Sequence, residues 1–123
     1  MNPLKRFLKS IAFAKRGLVK AWHNEANFRW ELIIACLVIL LAGLLKISSV
    51  GLAIIIMTCA FVLALELINT MIEMISDVLK PRLDQYVKHI KDLTAAAVAV
   101  AALGSIGVAI FLLLPPLIRL LWW

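Results

Sequence analysis

The chain opens on a segment whose apolar residues recur at helical spacing. Over residues 4–26, Leu4, Phe7, Leu8, Ile11, Leu18 and Trp22 share roughly one 100° stripe when each residue turns by 100°. Lys5, Arg6, Lys9, Arg16 and Lys20 take the opposite side. Lys15 falls near the apolar edge, where its stem can snorkel or its ammonium can face an anion. Pro3 suits a first helical turn, where its missing N–H costs nothing. A basic face opposite an apolar face carrying Phe and Trp describes a helix lying in a membrane surface. Residues 1–27 are therefore predicted to be a surface helix.

Continuous apolar runs follow. The first predicted span covers residues 28–46, with Leu32–Leu45 uninterrupted and Phe28 and Trp30 as interfacial anchors. Residues 46–49 are short enough only for a tight turn. The second span, 50–80, is apolar to Leu65 and then keeps helical periodicity through Glu66, Asn69, Glu73 and Asp77, until Pro81 stops it. Residues 81–92 read as a polar cytoplasmic connection. The third span, 93–118, carries Pro115-Pro116 near its end, and Trp122-Trp123 mark the far interface. The pattern predicts an all-α integral membrane protein in which residues 1–123 form a single domain: one surface helix and three transmembrane helices.

Composition narrows the function. Hydrophobic residues make up 64% of the chain and charged ones 16%, against roughly 45–50% and about 25% in soluble domains. A water-soluble enzyme, a disordered tail and a nucleic-acid reader on a soluble core are excluded. The net charge of +6 comes from 13 basic and 7 acidic residues, but the cations flank the apolar runs. The expected anionic partner is a lipid headgroup or a nucleotide phosphate, with no nucleic acid. Residues 1–30 hold seven Lys/Arg and residues 80–92 hold four, against only Lys46 and Arg119 on the other side. That asymmetry places the N-terminus and the 81–92 connection in the cytoplasm and the C-terminus outside. No cleavable leader is expected, because the first 30 residues lack an apolar core segment. Cys36 and Cys59 lie in apolar runs and read as small hydrophobes, His23 and His89 read as interfacial, and no zinc-ligand spacing occurs.

Small residues from Ala95 to Gly107 make much of the third span small-faced. They serve either as filler against lipid or as a surface for close helix packing, and the second use predicts a homo-oligomer.

The chemistry concentrates on the second span. Glu66, Asn69, Glu73 and Asp77 are spaced 3, 4 and 4 apart and so share an arc of roughly 80°. A carboxylate at the centre of a membrane helix costs about 2.5–3.5 kcal/mol on insertion scales, so such a stripe needs a purpose. It is either an interhelical hydrogen-bond ladder or a site reaching from the cytoplasmic surface into the bilayer. Glu25 is either a solvated helix-end acid or part of that site, and Lys91-Asp92 is either a local interfacial pair or likewise part of it. Two active functions fit. A carboxylate-lined path would make a small oligomeric cation or proton transporter, yet residues 50–65 carry no acid to continue it. An enzyme acting on a lipid headgroup explains the clustering at one boundary. The glycines are isolated, so a bound nucleotide would be held by metal-bridging carboxylates and basic side chains instead of a glycine cradle.

The run Glu66-Leu-Ile-Asn-Thr-Met-Ile-Glu73-Met-Ile-Ser-Asp77, followed by Lys91-Asp92 and an alanine-rich helix, resembles the prokaryotic diacylglycerol kinase family, which includes the undecaprenol kinases of Gram-positive bacteria. The likeness extends upstream through Arg6-Phe-Leu-Lys-Ser10, Arg16-Gly17 and Asn24-Glu25-Ala-Asn-Phe28 and covers nearly the whole chain. It implies a homotrimer in the bacterial cytoplasmic membrane that transfers the γ-phosphate of Mg-ATP to a lipid hydroxyl, of diacylglycerol or of undecaprenol. By position, Glu66 resembles the general base, and Glu25 and Glu73 resemble carboxylates that hold Mg²⁺ against ATP. Asn69, Asp77, Lys91 and Asp92 match polar residues around the nucleotide, and Arg6 matches a basic residue near the phosphates. Phe13 stands where some members have a tyrosine beside the nucleotide. Ala95 replaces the serine of diacylglycerol-specific members, and Thr70 and Asn27-Phe28 also lean toward the undecaprenol branch.

Overall fold

The computed structural model describes residues 1–122, and these form four helices. Helix α1 spans Pro3–Asn24, α2 Ala26–Leu44, α3 Ser49–Leu79 and α4 Asp84–Leu121. Trp123, read from sequence as half of an aromatic end, lies outside the described residues; Trp122 is exposed. The last three helices are each long and apolar enough to cross a membrane. At 1.5 Å per residue, the 31 residues of α3 extend about 46 Å, beyond the roughly 30 Å of a hydrocarbon core. One end of α3 therefore stands in the headgroup region or past it.

Local sequence sets the helix ends. Asn2 caps α1, its side-chain oxygen accepting from the Leu4 N–H at 2.8 Å, with Pro3 at the first helical position. Arg29 closes the other end of α1: its Nη1 donates to the carbonyls of Trp22 (2.9 Å) and His23 (3.1 Å). That contact holds the α1–α2 corner at Glu25. At the far end of α2, Lys46 takes the left-handed conformation (φ 53°). The Lys46 N–H donates to Gly43 O and the Ile47 N–H to Ala42 O, the paired bonds of a Schellman ending. Ser48 then caps α3, accepting from the Gly51 N–H at 3.1 Å.

Helix α3 is central, packed against α2 on one side and more extensively against α4 on the other; α1 packs mainly on α2. The apolar core sits at the turn end, where Ala42, Ile55 and Leu113 meet from three helices, and Ile47 packs against the cluster. Residues 3–20 of α1 are exposed along their whole length.

The segment 81–92 departs from its expected form. After Leu79 the chain turns through Leu83, and α4 begins at Asp84. An acid in the first turn suits the positive end of a helix. Val87, only 1% exposed, supplies a buried position, and Leu83, Val87, Ile90 and Thr94 keep helical spacing. Composition made the segment look like a loop, while its spacing is that of a helix.

Candidate active site

At the end of the bundle opposite the 45–48 turn, one face of α3 meets α4 across a cavity of about 270 Å³. Glu66, Asn69 and Glu73 line it from α3, because steps of 3 and 4 residues return to the same face. Lys91 lines it from α4. Glu66 is the deepest of these acids along α3 and is only 3% exposed. Asn69 Nδ2 donates to Glu73 Oε1 at 3.3 Å, leaving the second oxygen of Glu73 available. Thr70 spends its hydroxyl on the Glu66 carbonyl at 3.1 Å, within the helix. Lys91 Nζ donates to Asp77 Oδ1 at 3.2 Å across the α3–α4 contact. Both side chains are partly exposed, at 35% and 67%, so the pair contributes at most about 1 kcal/mol of stability. Its consequence is positional: it holds an ammonium at the cavity's edge.

Glu25 stands half-buried at the α1–α2 corner, and its side chain makes no capping bond to α2. Its charge and that of Glu73 lie within interaction range of Glu66. Asp77 does not line the cavity and reaches it through Lys91. Asp92 is exposed on α4 and also lies outside the lining. Arg6 and Phe13 sit on the exposed length of α1 and do not line the cavity either. Phe13 instead carries the Arg16 guanidinium 4.7 Å and the Lys9 ammonium 5.9 Å from its ring centre.

Three polar residues beside this site were not assigned to it from the sequence. Glu31, on α2, has a buried oxygen (Oε2) with no hydrogen-bond partner, and its charge lies within range of Glu66. It also opens a second, mostly apolar cavity of about 290 Å³ running toward Ile55 and Val108. Its signal was a carboxylate between Trp30 and Leu32, lost when the span was judged by its uninterrupted apolar part. Asn27 and Thr94 line the first cavity; Thr94 lies one helical turn beyond Lys91, a spacing that could have exposed it.

Among the described residues, no three His, Cys, Asp or Glu side chains gather as a metal-binding group. The acids come singly or in pairs. That donor set suits Mg²⁺, which takes one or two carboxylates and completes its shell with water and phosphate oxygens. A buried carboxylate, a carboxylate with a free oxygen and a positioned ammonium in one cavity can accept a proton, share a hard cation and neutralise phosphate charge.

The sequence profile of the prokaryotic diacylglycerol kinase family matches residues 12–113. The undecaprenol kinase of Bacillus subtilis is 34% identical over 116 residues, covering 94% of each chain. The diacylglycerol kinase of Synechocystis is 34% identical over 115 residues, 93% of this chain and 66% of that one. The diacylglycerol kinase of Escherichia coli is 28% identical over 101 residues, 82% of this chain and 83% of that one. A membrane protein of this helical design, with this match over most of its length, belongs to the prokaryotic diacylglycerol kinase family. It is a lipid kinase.

Proposed function

We propose that the protein transfers the γ-phosphate of ATP, with Mg²⁺, to the hydroxyl of a membrane lipid, diacylglycerol or undecaprenol, at the cytoplasmic face of the bacterial membrane. The observation that carries this reading is the cavity holding Glu66, Glu73 and Lys91 together, with Glu66 the buried acid. A lipid hydroxyl stays near the headgroup boundary, so the acid that takes its proton must be the most membrane-embedded one. Glu66 is that acid, and general-base catalysis is worth about 10²–10⁴-fold. Glu73 and Glu25 would hold Mg²⁺. When bound, the ion neutralises and aligns phosphate oxygens. Asn69 orients Glu73 through their 3.3 Å bond, and Lys91, steadied by Asp77, draws the phosphates to the cavity's edge. Asp92 on α4, and Arg6 and Phe13 on a membrane-surface α1, complete the nucleotide's surroundings in this reading.

That placement of α1 is itself part of the proposal, supported by its basic and apolar faces and its exposed length. So are the cytoplasmic N-terminus, supported by the Lys/Arg asymmetry, and a homotrimer. The trimer is supported by the exposed small residues Ala95, Ala96, Ala97, Ala99 and Gly104 on α4. Ala95 lines the cavity and offers no hydroxyl to a glycerol backbone, which favours undecaprenol as the acceptor.

Purified protein supplied with Mg-ATP and offered diacylglycerol and undecaprenol side by side tests the reading. Phosphorylation of undecaprenol at the higher rate is expected. Phosphorylation of neither lipid, or cation flux through proteoliposomes without ATP, would sink it. Mass measurement in mild detergent is expected to give a trimer, and a fully active monomer would remove that part.

A further inference from the structure

The end of the bundle away from the kinase site carries an open cavity of about 650 Å³ that the phosphotransfer reading does not use. Two segments far apart in sequence build it, the α2–α3 turn and the last turns of α4. They bring Lys46 and Arg119 to one cavity. These are the only Lys or Arg residues of the chain outside residues 1–30 and 80–92. No acidic side chain lines the cavity, and its walls include Leu45, Ile47, Phe111 and Leu120. Pro115 and Pro116 have no N–H, so the carbonyls of Phe111 and Leu112, one helical turn earlier, lose their usual donor. Cations set against an apolar wall at the membrane boundary, with acceptors left over, match one chemistry. It is a phosphate diester carrying hydroxyl donors on one side and acyl chains on the other.

We propose that this cavity binds an anionic phospholipid of the leaflet at that end, phosphate between Lys46 and Arg119 and one acyl chain along Phe111 and Leu120. Both cations are exposed, so they meet the phosphate without a desolvation cost that would cancel the attraction. Basic pockets between membrane helices capture anionic headgroups in this way.

The test is native mass spectrometry of the detergent-solubilised protein titrated with phosphatidylglycerol, with phosphatidylcholine as the zwitterionic control and glycerol 3-phosphate as a soluble competitor. Phosphatidylglycerol is expected to bind more tightly than phosphatidylcholine. K46Q and R119Q are each expected to weaken it about fivefold to tenfold. K46G is the safeguard against a merely misfolded variant: glycine accepts the left-handed turn better than lysine while removing the ammonium. It must weaken binding as K46Q does. R82Q with K88Q, which removes two cations at the other end, must leave binding unchanged. Equal retention of the two lipids overturns the proposal, as does unaltered binding in K46G and R119Q. Displacement by glycerol 3-phosphate would also overturn it, because the ligand would then be a free phosphate.

Discussion

The two ends of the helical bundle are built to opposite specifications. At the turn end, Ala42, Ile55 and Leu113 close an apolar core, the Schellman bonds finish α2, and Ser48 caps α3. At the other end, Glu66, Asn69, Glu73 and Lys91 line one cavity, Glu66 is buried, and an oxygen of Glu31 has no partner. One end has its helix termini capped and its buried apolar groups packed. The other brings two carboxylates and an ammonium to one cavity between α3 and α4. The difference teaches that stability and chemistry are segregated along α3, the helix both ends share.

If that segregation is real, substitutions at the two ends should fail differently. The largest loss is expected at Glu73. Glu73→Gln removes a cation-holding carboxylate, while an amide can still accept the Asn69 bond. Turnover with Mg-ATP should fall to near background, with membrane insertion and thermal midpoint unchanged. Full turnover would remove the metal role assigned to Glu73.

Next comes Glu66. Glu66→Gln keeps volume and hydrogen bonding but cannot accept the lipid proton, so the rate should drop by about 10²–10⁴-fold. ATP binding and assembly should persist, which equilibrium binding of a nucleotide analogue and a mass measurement will show. Weak nucleotide binding would make Glu66 a ligand. An unchanged rate would mean that a dissociative transfer needs no base there.

Much of this division was legible in the amino-acid order. The 3-and-4 spacing placed Glu66, Asn69, Glu73 and Asp77 on one arc; the first three line one cavity, and Asp77 does not. The apolar runs gave three long helices where three are seen. What escaped was tertiary. Glu31 looked like the fringe of a span, because its proximity to Glu66 depends on how α2 leans on α3. The helix from Asp84 was hidden by a polar composition whose buried member, Val87, is one residue in a dozen. The turn at Lys46 was not readable as left-handed, since a lysine holds the position glycine usually takes. Arg6 and Phe13 were carried by resemblance alone, and Asp92, singled out beside Lys91, does not line the cavity.

At the packed end, Ile55→Ala tests the other half of the comparison. Ile55 is 2% exposed and joins Ala42 and Leu113. Truncation should cost about 2–5 kcal/mol through lost contacts and the cavity left behind. A clear fall in thermal midpoint is expected, with KM for ATP unchanged in whatever fraction stays folded. A rise in KM at unchanged midpoint would show the ends to be coupled.

The smallest effect is expected at Ser48. Its Oγ accepts from the Gly51 N–H at 3.1 Å and its carbonyl from the Leu52 N–H at 2.9 Å. Ser48→Ala keeps the carbonyl bond and loses only the side-chain cap, since the extended backbone at φ −59°, ψ 157° suits alanine equally. Gly51 is buried, so water replaces the lost acceptor poorly, and the change should cost about 1 kcal/mol. Ser48→Asp restores an acceptor and adds an anion at a helix N-terminus, where it is favourable by roughly 0.3–1 kcal/mol. The Ala variant should therefore melt lower than wild type and the Asp variant at or above it, with turnover equal in all three. An unmoved midpoint in Ser48→Ala would show that the cap is redundant with packing around Gly51. A drop in turnover would be the more damaging result, because a hydroxyl at the packed end would then be felt at Glu66, about 27 Å along the same helix by its rise per residue.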